Sequence, residues 1–336
     1  FIGSEYSFNN TAYAVFDAGK VSEGGKEADF GNKYIDKIII AGENGKTIPL
    51  PSATPSVDAK AILVDWNRTV VTGTEKTYTE LIDGEKVGET TYYNDFNKAN
   101  LLTYTADWAP YDYTITLYSG NDVVGALYVM KGDVNGNFTT FKSNIKAVQY
   151  KGTIYKGTDE LDNVLTAKKD GYTLKQWNDA DGTKMISYDP SAKENESAFK
   201  LTKDFKSIEG DMSLYAKFDA NKYTIIYNSA IAASINKMEQ QGYVDDPLKL
   251  LSEATFSNEG HKLLSWNTRA DGLGDSYKLG ADFTLTGAQY EDLKSEGNVE
   301  ITLYAIWDTT QGSGSGSNDN NEGNNDNTSI YLLIAI

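Results

Sequence analysis

Side chains alternate between apolar and polar with a period of two along much of the chain, and this pattern predicts half-buried strands. In ITLYAIW, residues Ile301, Leu303, Ala305 and Trp307 fall on one face, with Thr302, Tyr304 and Ile306 on the other. YTIIYN, starting at Tyr223, is apolar on both faces, as expected of a strand inside a sheet. Asp181-Gly182 and Asp271-Gly272 are tight-turn signals, and TYTELIDGEKVGETTYY, Thr77 to Tyr93, reads as a hairpin turning at Asp83-Gly84. Helical patterns are few. DDPLKLLSEA offers Asp246 as an N-cap and Pro247 at the first helical position, and TGAQYEDLKSEG offers Thr286 with Gln289 as a capping box.

The predicted strands carry landmarks that repeat. Trp66, Trp177 and Trp266 are each followed by Asn, and each pair is followed by a closing aromatic: Trp108 at the end of LLTYTADW, Phe218 at the end of MSLYAKF, Trp307 at the end of ITLYAIW. The separations are 42, 41 and 41 residues. YTITLY from Tyr113 and YTIIYN from Tyr223 open the units that follow. Such fixed order is the signature of internal duplication, and it predicts three β-rich modules in series, residues 1–110, 111–222 and 223–308. Trp66 to Trp177 spans 111 residues and Trp177 to Trp266 spans 89, so the middle module holds extra residues before its Trp. The six aromatics Trp66, Trp108, Trp177, Phe218, Trp266 and Trp307 are expected in the cores. The Asn after each leading Trp is expected to close a turn through its side chain.

The run GHKLLSWNTRADGLGDSYKLGADFTLTG followed by VEITLYAIW resembles the repeat shared by Listeria and Bacteroides surface proteins, the internalin B-repeat. Its pattern is a Gly-Tyr-x-x-x-x-Trp-Asn core, an Asp-Gly turn and a Leu-Tyr-Ala-x-Trp ending. The third module matches at Gly260, Trp266, Asn267, Asp271, Gly272, Tyr277, Gly280, Phe283, Leu303, Tyr304, Ala305 and Trp307. The second matches at Gly171, Tyr172, Trp177, Asn178, Asp181, Gly182, Tyr188, Leu214, Tyr215 and Ala216, with Phe218 in place of the last Trp. The first keeps Trp66, Asn67, Phe96 and Trp108. The resemblance implies a small β-grasp-like module on the outside of a bacterial or archaeal cell, where such modules act as spacers, stalks or adhesive domains, and it implies no catalysis.

Composition narrows the function. The formal charge is −17, from 48 acidic against 31 basic residues, which repels a phosphate backbone and argues against nucleic acid as a partner. No cysteine is present, so disulfides, thiolate metal sites and Cys nucleophiles are excluded. The abundance of Tyr, 23 residues, favours strands, with Tyr92, Tyr93, Tyr104 and Tyr118 read as cross-strand aromatics. The stretch 309–328 is almost free of apolar side chains and is expected to be a flexible polar linker. The apolar run 329–336, SIYLLIAI, is too short to cross a bilayer, which takes about 20 residues as a helix. It is expected to begin a C-terminal membrane anchor, the alternative being a strand donated to a neighbouring subunit. A start at Phe1 without Met fits removal of a signal peptide.

Candidate chemistry is sparse. GDVNGNF sets Asp133, Asn135 and Asn137 at the spacing that opens a calcium loop, yet Phe138 and Asn144 stand where that loop needs Gly and Glu, so a turn is expected and a cation site is the alternative. Glycosylation sequons at Asn9, Asn137, Asn195 and Asn327 are open to modification, and the sequon at Asn67 lies beside a Trp expected in the core. His261, the only histidine, has no Ser or Asp arrangement around it and reads as a surface strand residue. The expectation is a non-enzymatic cell-surface stalk or adhesin without cofactor, its partners being other copies of itself, surface proteins or glycans. The alternatives are a self-assembling filament or layer subunit and a glycan-binding module.

Overall fold

A computed structural model of the chain describes residues 11–22, 25–43, 51–72, 76–79, 102–193, 196–231, 236–254, 256–295 and 299–308. The fold is mainly β. Two compact units are present: one holds the described residues up to Ala167 together with Lys175–Lys217, the other Lys168–Leu174 and the described residues from Phe218 onward.

The first unit contains one large sheet and nearly all of a second, besides two two-stranded ladders. The first is built from β1 (Thr11–Asp17), β2 (Lys37–Glu43), β3 (Ala61–Thr72), β4 (Lys76–Thr79) and β5 (Leu102–Pro110) in the order β2-β1-β5-β3-β4. Its central pair β1 and β5 is parallel, with Ala14 across from Leu102, and the other pairs are antiparallel. Alternate residues supply the core: Ala14 and Phe16 from β1, Tyr104, Ala106 and Trp108 from β5, joined by Ala28 and Phe30 from the connection. The second sheet comprises β6 (Tyr113–Ser119), β7 (Asp122–Val129), β8 (Ile145–Tyr150), β9 (Thr153–Lys156), β10 (Tyr172–Asn178), β11 (Lys184–Tyr188), β12 (Phe199–Leu201) and β13 (Met212–Ala220), in the order β9-β8-β7-β6-β13-β10-β11-β12. Short helices α1 (Phe138–Asn144) and α2 (Leu161–Leu165) lead into β8 and β10. Ile115, Leu117, Leu214 and Ala216 alternate inward on its parallel central pair. The two sheets are joined through Lys60, whose Nζ donates to Asp112 O at 2.7 Å, and through Lys156, whose Nζ lies 2.6 Å from Asp107 Oδ2.

The third sheet, in the second unit, has β14 (Lys222–Asn228), β15 (Lys237–Tyr243), β16 (Leu263–Asn267), β17 (Ser276–Lys278) and β18 (Glu300–Trp307) in the order β15-β14-β18-β16-β17. Tyr223, Ile225, Tyr227, Leu303 and Ala305 point into one core with Trp266, Leu285 and Tyr290 of helix α3 (Gly287–Ser295). The capping box forms: Thr286 N donates to Gln289 Oε1 at 3.0 Å and Gln289 N to Thr286 Oγ1 at 3.3 Å.

Numbering strands from the start of each sheet, the first and third share the order 2-1-5-3-4 with strands 1 and 5 parallel. The second sheet carries this order in β7-β6-β13-β10-β11 and adds β8 and β9 beyond its second strand and β12 beyond its fourth. The extra residues before Trp177 therefore include two helices, α1 and α2, and two more strands, β8 and β9.

The helix expected at Asp246 is absent. Leu248–Lys249 instead forms a two-residue antiparallel ladder with Asp282–Phe283. Tertiary partners take the backbone here: Gln240 Nε2 donates to Lys249 O, Leu251 N donates to the Tyr227 hydroxyl, and Trp266 Nε1 donates to Leu251 O. A helical turn would compete for those groups, and the local cap signal loses. The hairpin expected at Asp83-Gly84 and the segments 309–328 and 329–336 lie outside the described residues.

Candidate functional site

The recurrent Trp-Asn pair is the most specific chemistry in the sequence, and the third sheet places it first. Trp266 on β16 sits across from Ala305 and is 0% exposed. Its ring packs on Tyr227 with centroids 4.5 Å apart and edge-on to Phe256 at 6.2 Å. Burial of an indole requires a partner for its N–H, and Leu251 O accepts it at 2.7 Å. Asn267, 1% exposed, ends the strand and organises the turn: Oδ1 accepts from Arg269 N and Gly274 N, while Nδ2 donates to Gly272 O and Gly274 O. The amide has used its bonding capacity on the backbone.

Gly274 is required at this turn, because a Cβ there would lie 2.3 Å from Thr268 Oγ1 and 2.8 Å from Asn267 Oδ1. At the tip, the Arg269 guanidinium pairs with Asp271 and holds its carboxyl below the usual range, helped by the Leu273 amide at 3.0 Å. Burial pushes the Tyr227 hydroxyl in the opposite direction, above its usual range.

The second sheet repeats the arrangement in shorter form. Trp177 is 0% exposed and donates to Leu165 O at 2.9 Å, and Asn178 Nδ2 donates to Gly182 O at 2.9 Å. The first sheet departs from it. Trp66 is partly buried, stacked on Phe30 at 6.3 Å and edge-on to Phe16 at 5.1 Å. Asn67 closes no turn, because β3 continues through Arg68 to Thr72 and pairs with β5 as far as Val70. The run Thr69-Val70-Val71-Thr72 is β-branched and stands where the other two sheets have Asp-Gly four or five residues after the Trp, so the strand extends where the other two turn.

The closing aromatics occupy strand 5 of each sheet. Trp108 is buried and donates to Ala18 O at 2.8 Å, Trp307 is partly buried and donates to Ser229 O at 2.8 Å, and Phe218 is half-buried. These acceptors lie 12 to 90 residues from their indoles, and no sequence pattern announces them.

The remaining candidates are built into turns and caps. Asn137 Oδ1 accepts from Thr140 N at 3.0 Å as the N-cap of α1. Asn135 and Gly136 adopt left-handed backbone at φ 46° and 70°, and Asp133 pairs across from Ser207. Among the described residues no group of three or more His, Asp or Glu side chains is arranged to hold a metal ion. Asn9, Asn195 and Asn327 lie outside the described residues. His261 is half-buried, its Nδ1 2.6 Å from Asp308 O. An open groove of about 520 Å³ is lined by Thr114, Thr116, Asp179, Asp181, Asp211 and Ser213. Two of its carboxylates are engaged locally: Asp211 Oδ1 accepts from Thr114 N, and Asp179 Oδ1 from Asp181 N and Thr183 N.

Two proteins of Evansella cellulosilytica are similar to this chain. One, with the provisional name of a Gly-rich membrane protein, is 28% identical over 143 residues, 41% of this chain and 14% of its own length. The other, provisionally named a membrane protein, is 28% identical over 102 residues, 30% of this chain and 14% of its own length. The chain thus spans about a seventh of the length of each of these relatives. Residues 223–306, which carry Trp266, Asn267 and the Leu303-Tyr304-Ala305 ending, match the family model of the Listeria-Bacteroides repeat domain.

Proposed function

We propose that this chain is part of a non-enzymatic protein of the bacterial cell surface, in which β-grasp-like modules in series serve as a stalk or adhesin. The observation that carries the reading is the fate of Trp266 and Asn267. The most specific residues of the repeat lie inside the fold with their polar atoms bonded to backbone, so their recurrence serves folding rather than a reactive pocket. The common strand order 2-1-5-3-4 supports modules of one design. The repeat match and the names of the relatives favour the cell envelope. No helix among the described residues is long and apolar enough to cross a membrane, and the proposed anchor is the apolar segment that starts at Ser329.

Self-assembly is the second reading, favoured by Ile39 of the border strand β2, whose side chain is 66% exposed among the described residues. Glycan binding is a further one, to be sought in the open groove beside Thr116 and Asp181. Treatment of intact source cells with a protease that does not cross membranes tests the surface assignment. Loss of the chain from whole cells is expected, and survival until the cells are lysed overturns it.

A further inference from the structure

The chain enters the third sheet by β14 and leaves it by β18. These strands are parallel neighbours, in register from Thr224 across from Glu300 to Asn228 across from Tyr304. The first sheet repeats the plan with β1 beside β5, and the second with β6 beside β13. In a parallel pair the start of one strand and the end of the other lie at opposite ends. Tension on the chain therefore slides the first strand along the last and loads every rung of the ladder together, whereas an antiparallel hairpin pulled at its open end gives way one rung at a time. A further bond crosses the same pair. Trp307, at the end of β18, donates its indole N–H to the carbonyl of Ser229, the residue after β14, at 2.8 Å. Trp108, near the end of β5, donates to the carbonyl of Ala18, the residue after β1, also at 2.8 Å. The two closing tryptophans make the same join between first and last strand. Phe218 stands in the corresponding place of the second sheet and has no N–H to give.

We propose that the parallel pair of each sheet is a clamp that carries tension along the chain, and that the closing Trp is its bolt. The exit of the third sheet is fastened in the same sense. Asp308 N donates to Lys262 O at 2.9 Å, Lys262 N donates to Asp308 Oδ1 at 2.8 Å, and His261 Nδ1 lies 2.6 Å from Asp308 O. His261 and Lys262 immediately precede β16, the neighbour of β18 on its other side, so a pull at Asp308 has to slide β18 past both β14 and β16. Forced unfolding is governed by the unfolding rate rather than by equilibrium stability. An interaction that is made in the folded state and lost at the barrier acts on that rate in full. Recurrence of Trp at the end of the last strand then has a cause besides core packing. The inference deepens the stalk reading and takes its biological meaning from it, because a stalk held at one end and loaded at the other bears the same tension through every module in series.

The chain has no cysteine, so introduced thiols are unique handles for single-molecule pulling on the full chain. Lys222→Cys with Ser313→Cys loads β14 against β18 in shear. Lys222→Cys with Tyr243→Cys loads the antiparallel pair β14 and β15 at its open end, where those two residues lie across from each other with exposed side chains. At one loading rate the shear pair is expected to unfold at about twice the force of the peeling pair or more, because the registered pairs from Thr224 to Asn228 yield together rather than in turn. Trp307→Phe, which installs the aromatic of the second sheet, should raise the unfolding rate in shear about fivefold, the loss of one hydrogen bond, and leave the peeling rate nearly unchanged. Equal or lower force in the shear geometry overturns the clamp. A Trp307→Phe variant that speeds both directions equally, or neither, overturns the bolt. The comparison of directions needs no change at Trp307, and Trp108→Phe, read in end-to-end pulling, puts the bolt to the same test on the first sheet. None of these outcomes bears on the protease experiment with intact cells.

Discussion

The first and third sheets have the same strand order and different centres. In the third, Trp266 is enclosed, and the Tyr227 hydroxyl beneath it donates to Gln240 Oε1 at 2.6 Å and accepts from Leu251 N at 3.2 Å. In the first, the equivalent of Tyr227 across the parallel pair is Phe16, Trp66 is only partly buried, and the strand runs past Asn67 without turning. Strand order is therefore held by the alternation on the central parallel pair, which both sheets keep. The polar network around the Trp-Asn turn is an added layer with no counterpart among the described residues of the first sheet.

The largest contrast is expected at the indoles. Trp266→Ala should cost about 3–5 kcal/mol and abolish the melting transition of the third sheet, whereas Trp66→Ala should cost only about 2 kcal/mol. Equal losses in paired thermal melts would show that exposure of Trp66 does not matter. Next comes Asn267→Ala. Removing the amide takes a partner from Arg269 N, Gly274 N and the Gly272 and Gly274 carbonyls in a partly buried turn, and a loss of about 1–3 kcal/mol is expected in urea titration. Asn67→Ala, at a position that closes no turn, should change stability by less than about 1 kcal/mol, and a similar cost at both sites would place the two asparagines in one role.

A smaller effect is expected when the third sheet is made to resemble the first. Tyr227→Phe removes the hydroxyl that joins Gln240 and Leu251 and should cost about 1–2 kcal/mol, readable as faster hydrogen exchange at Leu251. The smallest is at Tyr223, whose buried hydroxyl has no hydrogen-bond partner among the described residues. Tyr223→Phe should leave the melting temperature unchanged or slightly higher, since an unpaired buried hydroxyl only costs. A clear drop would reveal a bonded role for that oxygen.

Much of the fold was legible because its causes are local. Alternation in ITLYAIW marked the inward row that Leu303 and Ala305 occupy, and Thr286 with Gln289 marked the start of α3. Asp271-Gly272 marked a turn that Asn267 then organises. The failures share one cause. Asp246-Pro247 is a sound helix start in isolation, and it was overridden by Gln240, Tyr227 and Trp266, which reach the same short backbone segment from distant strands. The Trp-Asn pair at Trp66 was read as a turn because its neighbours across the sheet were not visible, and pairing with β5 up to Val70 decides otherwise.

Residue order by itself determined which positions face inward, where the recurrent motif lies and that no thiol chemistry is available, because each of these depends on neighbours within a few residues. Only the tertiary structure decided which carbonyls receive the indole protons of Trp108, Trp177, Trp266 and Trp307, and that three differently elaborated segments contain one five-strand order. Those outcomes rest on hydrogen bonds and packing between residues far apart in the chain, whose geometry exists only after the sheets have closed around their cores.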